Sequence, residues 1–184
     1  MVTNRCLIAA LLAASSIPAG ASVVVVGSSS ARMCYLAADA ASPPARADFQ
    51  HCAVALDEEG LTRRDRAATY VNRGILRLRR EMAAEAIADF DSALAIDPNQ
   101  PEALLNKGAA LLRQNRAEAA LPLFTAALEH RTYRPALAYL GRGMANERMG
   151  DARAAYSDYR MASQIEPNWS APRTELQRFR VVSR

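Results

Sequence analysis

Between Ala67 and Trp169 apolar residues recur at steps of three and four, the spacing that lines one face of an α-helix, and short polar breaks cut the stretch into helical pairs. In the first pair Tyr70, Gly74 and Arg77 share a face, and Ala86, Phe90, Ala93 and Leu94 share a face of the next segment. The same columns return every 34 to 35 residues: Gly74, Gly108 and Gly143; Ala86, Ala120 and Ala155; Phe90, Phe124 and Tyr159; Ala93, Ala127 and Ala162. Four columns in register predict three tandem units, 67–100, 101–135 and 136–169, each a helix A followed by a helix B. Gly74 and Ala86 are small so that the two backbones can approach, with Phe90 filling the space beside them. The turns fall at Glu81-Met82, Asn115-Arg116 and Gly150-Asp151. Asn115 and Gly150 suit the left-handed conformation that often ends a helix, whereas Glu81 does not. Pro122 predicts a local bend in the second helix B.

On either side the pattern changes. Two alanine-rich helical stretches, Ser30 to Ala41 and Asp48 to Glu58, flank a turn forced by Ser42-Pro43-Pro44, which predicts an N-terminal helical hairpin over 31–66. Beyond the repeats, Ser170 to Val182 reads as a capping helix with Pro172 in its first turn and Leu176, Phe179 and Val182 on its apolar side, within a cap and tail over 170–184. At the other end Arg5 precedes an uncharged stretch from Cys6 to Gly27, with Ala19-Gly20-Ala21 after Pro18. That pattern reads as a signal peptide over 1–21, cleaved after Ala21. The alternative is an uncleaved inner-membrane anchor facing the periplasm, since Val23 to Val26 extend the apolar run. Residues 22–30 read as a mobile tail.

Both readings carry the chain out of the cytoplasm, to the periplasm. Loss of Cys6 would leave Cys34 and Cys52, one on each arm of the hairpin, in a compartment where disulfides persist. The pair reads as a bridge, with two buried free thiols as the alternative.

Composition narrows the chemistry. Of 184 residues, 39 are alanine and only 6% aromatic, which favours helix over sheet. Two histidines and three cysteines leave little for a metal centre or a histidine-based catalytic set. There is no phosphate-binding loop, nucleophile elbow or zinc-ligand spacing. Asp89 and Asp91, two apart on a helix, do not share a face for paired-carboxylate chemistry. No enzyme activity, cofactor or metal is expected. The net charge of +4 hides a separation: the A halves of the repeats carry net +5 and the B halves net −4.

The ordered set of aromatic, glycine, alanine, aromatic, alanine and proline closely resembles the tetratricopeptide repeat, here of a bacterial exported type. The first unit departs from it at Arg77, the second at Leu104 and Thr132. The resemblance implies an all-α, right-handed α-solenoid whose N-terminal hairpin is a cap or a divergent repeat. It further implies a concave surface lined by the A helices, with Val71, Asn72, Ile75 and Arg79, then Leu105, Asn106, Ala109 and Arg113, then Leu140, Gly141, Met144 and Arg148. Val71 and Leu105 stand where carboxylate-clamp members of the family carry basic residues. The implied function is a protein-interaction module of the cell envelope that holds a peptide in this groove. The asparagines would take its backbone, and the arginine edge favours an acidic or carboxylate-bearing segment. A self-associating structural subunit and a basic anion- or nucleic-acid-binding surface are the alternatives, although nucleic acid is disfavoured by export and by the lack of interleaved aromatics. The partner and the oligomeric state are not legible.

Overall fold

The computed structural model describes residues 2–4, 21–25 and 29–181. Helices α1 (Ser29–Asp39) and α2 (Arg46–Glu58) form the N-terminal hairpin. Three further pairs follow: α3 (Arg63–Arg79) with α4 (Ala83–Ile96), α5 (Pro101–Arg113) with α6 (Ala117–Glu129), and α7 (Pro135–Arg148) with α8 (Ala152–Ile165). Each helix packs on the next, and α1, α3, α5 and α7 also pack in series, which is the arrangement of an α-solenoid. The fully buried rings of Phe90, Phe124 and Tyr159 form its spine. At Gly74 a β-carbon would lie 2.5 Å from Phe90 Cε1, so α3 meets α4 at a distance only glycine permits.

All three turns inside the repeats close alike. The N–H groups of Met82, Arg116 and Asp151 donate to the carbonyls of Arg77, Leu111 and Asn146, five residues back, at 2.9 to 3.0 Å. The residue between has positive φ: 63° at Glu81, 59° at Asn115, 85° at Gly150. Glu81 therefore adopts the left-handed cap despite its β-carbon, because the bonds and packing of the hairpin outweigh a strain of about 1 kcal/mol. Arg131, at φ 60°, makes a fourth cap of this kind after α6, where Thr132 N–H donates to Ala127. Helix α6 runs unbroken through the exposed Pro122.

A disulfide joins Cys34 to Cys52 across the α1–α2 hairpin, with Cα atoms 4.9 Å apart. The first repeat starts earlier than its pattern indicates, since Thr62 caps α3 by accepting the Asp65 N–H at 3.1 Å. The expected capping helix over 170–182 is shorter. Helix α9 (Ser170–Leu176) stops, and β2 (Phe179–Val181) pairs antiparallel with β1 (Val2–Asn4). Leaving the helix lets Phe179 pack 5.9 Å from the rings of Tyr156 and Tyr159, while Arg178 pairs with Glu147 and Glu175. Val182 and most of the expected signal segment, 5–20, lie outside the described residues. Among the described residues no helix is long and apolar enough to cross a membrane.

Candidate functional site

The tail expected over 22–30 is ordered in two places: α1 already begins at Ser29, and residues 21–25 lie extended against the A helices. Ala21, Val23 and Val25 are buried in the same apolar cluster as Val71, Ile75, Leu105 and Ala109, whereas Val24 is 57% exposed. This alternation is that of a strand with one covered face. Its backbone polar groups need partners, and two asparagines supply them. Asn72 accepts the Val23 N–H at Oδ1 and donates from Nδ2 to the Val23 carbonyl, both at 2.8 Å. Asn106 Nδ2 donates to the Ala21 carbonyl at 3.4 Å and to Glu102, one turn back on its own helix, at 2.8 Å. Ser22 Oγ donates to Asp39 Oδ1 at 2.8 Å.

Six of the residues read from the sequence as groove lining are buried on α3 and α5: Asn72 and Asn106 bond the segment, and Val71, Ile75, Leu105 and Ala109 belong to the same apolar cluster as it. The third repeat is different. Gly141 holds the register of the two asparagines but faces α6, where a β-carbon would meet Phe124 at 2.4 Å. Leu140 packs with Ala155, Tyr159 and Phe179, and Met144 bridges the two apolar clusters. The amide clamp is therefore confined to α3 and α5.

The cations expected to make a basic inner surface are each engaged within the chain, although Arg80, Arg113 and Arg148 remain exposed and are bonded to uncharged carbonyls. Arg79, Arg113 and Arg148 each donate to backbone carbonyls at the end of the preceding A-type helix or just beyond it. Arg79 reaches Ala37 at 3.2 Å and Ser42, Arg113 reaches Leu78 at 2.8 Å, and Arg148 reaches Leu112. The Leu78 and Leu112 carbonyls otherwise accept the turn N–H groups of Glu81 and Asn115, at 3.2 and 3.0 Å, and a cation there also meets the negative end of the helix dipole. Arg79 serves α1 as Arg113 serves α3, so the disulfide-bonded hairpin packs on the first repeat as the first repeat packs on the second. The other A-half cations are also engaged. Arg73 and Arg77 hold the buried Asp89 at 2.8 and 2.7 Å, Arg142 holds Asp158 at 2.7 Å, Lys107 holds Asp91 at 2.6 Å, and Arg80 donates to the Pro44 carbonyl. The hydrogen bond from Asp158 strengthens the charged form of Arg142 and raises its pKa. Asp89 and Asp91 are thus two separate ion-pair acceptors.

One further polar site is not suggested by the repeat pattern. Glu102, 1% exposed, accepts from Thr132 Oγ1 at 3.2 Å and from the Tyr133 N–H at 2.9 Å, tying α5 to the loop before α7. Burial raises its pKa against the opposing hydrogen bonds. Thr132 stands in the proline position of the repeat, and that departure was the only signal for the site. The groove segment had a signal too, the alternation of Ala21, Val23 and Val25, but it is masked within a longer apolar run.

Stacked helical pairs with a segment held against their A helices define a helical-repeat scaffold. The sequence matches the tetratricopeptide repeat family over residues 71–135 and again over 105–167, together more than half of the chain, and the protein belongs to that family. No curated protein sequence matches the chain. Among solved structures, MamA (residues 41 to the end) from Desulfovibrio magneticus RS-1 is similar at 20% identity, with a TM-score of 0.64 over 82% of this chain and 84% of that one. The Arabidopsis OM64 TPR domain is similar at 20% identity, with a TM-score of 0.60 over 64% of this chain and 96% of that one. The first TPR of Spaghetti (RPAP3), bound to the HSP90 peptide SRMEEVD, is 23% identical, with a TM-score of 0.57 over 60% of this chain and 87% of that one. At these identities the likeness establishes the fold.

Proposed function

We propose that the protein is a non-enzymatic protein-interaction module of the cell envelope that holds an extended peptide between α3 and α5. The observation carrying this reading is the Asn72 clamp, whose two 2.8 Å hydrogen bonds take one residue of an extended backbone by its N–H and its carbonyl together. Such bonds are independent of side-chain identity, so the apolar positions on either side supply selectivity. Membership of a family that works through interaction surfaces supports it, as does the peptide bound to the RPAP3 domain. Arg79, Arg113 and Arg148, which suggested an acidic partner, are bonded to carbonyls of the stack, so the reading rests on the asparagines and the apolar floor instead.

Export to the periplasm is supported by the Arg5 and Ala19-Gly20-Ala21 pattern and by the Cys34–Cys52 bridge. Cleavage after Ala21 would remove β1 and leave Ser22–Val25 in the groove. An N-terminus at Ser22 in the periplasmic fraction is the expected result, and an intact N-terminus in the membrane pellet would replace it with the anchor.

The groove is tested by photo-crosslinking through benzoylphenylalanine at Met144 in envelope extract, with Asn72→Ala/Asn106→Ala as the control. Loss of the crosslinked protein from the control is expected. Equal crosslinking by a control with unchanged helical melting would sink the proposal.

A further inference from the structure

The groove already contains a peptide, and its character is specific. Three alternate side chains point in, and all are small or β-branched and uncharged, at 4%, 8% and 4% exposure for Ala21, Val23 and Val25. The described hydrogen bonds between α3 or α5 and this segment are made by the amides of Asn72 and Asn106, and that to α1 is from Ser22 to Asp39. The eight cations of the A halves are all bonded to carbonyls or carboxylates of the same chain. A carboxylate in place of Val23 or Val25 would be buried among Val71, Ile75 and Leu105 with no cation among the described residues of that apolar cluster, a cost that uncharged side chains avoid. Only three residues separate Val25 from Ser29, the first residue of α1, so the segment is tethered at short range.

We propose that residues 21–25 of the uncleaved chain, and Ser22–Val25 once Ala21 is removed, are both the gate of this groove and the template of its partner. The partner is an extended, uncharged segment with alanine or valine at alternate positions, and it enters by displacing 21–25. The inference rests on the peptide-binding reading above and goes beyond it in naming the ligand chemistry and the internal competitor. A short tether presents its segment at an effective concentration of about 1 mM. A free peptide of the same sequence must compete with that, so its apparent dissociation constant in the intact chain approaches the same value. Releasing the segment should tighten it at least tenfold.

The test uses the full chain and a fluorescein-labelled peptide with the sequence of residues 21–26, followed by anisotropy. Val23→Asp/Val25→Asp dislodges the internal segment and is expected to bind the peptide at least tenfold more tightly than wild type. Adding Asn72→Ala should abolish that gain, and a peptide carrying aspartate in place of its second and fourth residues after the alanine should not bind. Equal affinity for wild type and the released variant, or tighter binding of the aspartate peptide, would overturn the proposal. Amide exchange gives a measurement independent of that variant's folding. The Val23 amide should be protected in wild type and exposed in Asn72→Ala, and an unprotected amide in wild type refutes the gate. A groove crosslink to an acidic or helical segment would leave the interaction reading standing and refute this one.

Discussion

Replacing single glycines with alanine separates close helix contact from helix propensity, because the two effects have opposite signs. Alanine is favoured over glycine inside a helix by about 1 kcal/mol. At Gly74 the new β-carbon would sit 2.5 Å from Phe90 Cε1 and at Gly141 2.4 Å from Phe124 Cε1, so either ring must retreat by about 0.9 to 1.0 Å to reach an ordinary 3.4 Å contact. Both rings are fully buried, with no solvent side to move towards. Overpacking of this kind costs roughly 1–3 kcal/mol. At Gly108 the contact is 3.0 Å, and the same Phe124 ring need yield only about 0.4 Å. The expected order is therefore Gly108→Ala close to or above wild type in stability, with Gly74→Ala and Gly141→Ala net destabilised by about 1 kcal/mol and at most about 2. Thermal melts followed by circular dichroism would show the latter two lowered by about 2–4 °C and at most about 8 °C, at 2–4 °C per kcal/mol for a chain of this length. If Gly108→Ala falls as far as Gly74→Ala, or if the tight pair melts at the wild-type temperature, ring contact is not what keeps these positions glycine.

Three other outcomes follow from the same geometry. Burial raises the Glu102 pKa above 4.5, so the folded chain binds this proton more tightly than the unfolded chain; wild type should gain stability relative to Glu102→Gln as pH falls through the folded value towards 4.5, in urea melts compared at pH 8 and 5. A gap that stays constant with pH would mean that the carboxyl is not titrating from a buried site. Opening the Cys34–Cys52 loop, whose ends are 18 residues apart, should cost about 3 kcal/mol, and denatured, unreduced protein should titrate one free thiol with Cys6 retained and none after cleavage behind Ala21. Arg131→Gly relieves a positive φ at an exposed position and should stabilise by roughly 0.5–1 kcal/mol, whereas a lower melting temperature would show that the Arg131 side chain makes a contact of greater worth.

The helical pairs were legible in the sequence because packing imposes one residue type per column: only glycine fits against a ring at 2.5 Å, and only a ring fills what the glycine leaves. The turn at Glu81 was less legible since its conformation is set by the bond from Met82 to Arg77 and by the stacked helices, against the preference of the residue itself. The C-terminal cap departs from its pattern for a similar reason. Leu176 and Phe179 are helix-spaced, yet the aromatic pocket of Tyr156 and Tyr159 and the carboxylates facing Arg178 draw the chain off the helix after Leu176. In the groove, Asn72 and Asn106 could be placed from repeat register alone. Their occupant could not, because an alternating segment inside a longer apolar run looks the same whether it is exported, inserted or docked.

Charge is where sequence and structure part most instructively. Summed along the A helices it forecasts a basic groove, but a sum carries no direction, and the solenoid gives each cation a different one. Arg73, Arg77 and Arg142 turn towards aspartates on their own helix B, Lys107 turns back to the preceding repeat, and Arg79, Arg113 and Arg148 run along the stack to carbonyls at the ends of neighbouring helices. Half of the A-half cations are thus ion-paired to B-half aspartates, and the other four serve backbone carbonyls, so the separation of net +5 from net −4 is only in part the pairing that holds A to B. If Arg113 serves the stack, Arg113→Met should lower the melting temperature by about 2–4 °C, for the roughly 1 kcal/mol that a charged donor on a helix end is worth, and leave binding of an uncharged groove peptide to the released chain unchanged. If it serves the ligand, the melt will hold and the binding will fall.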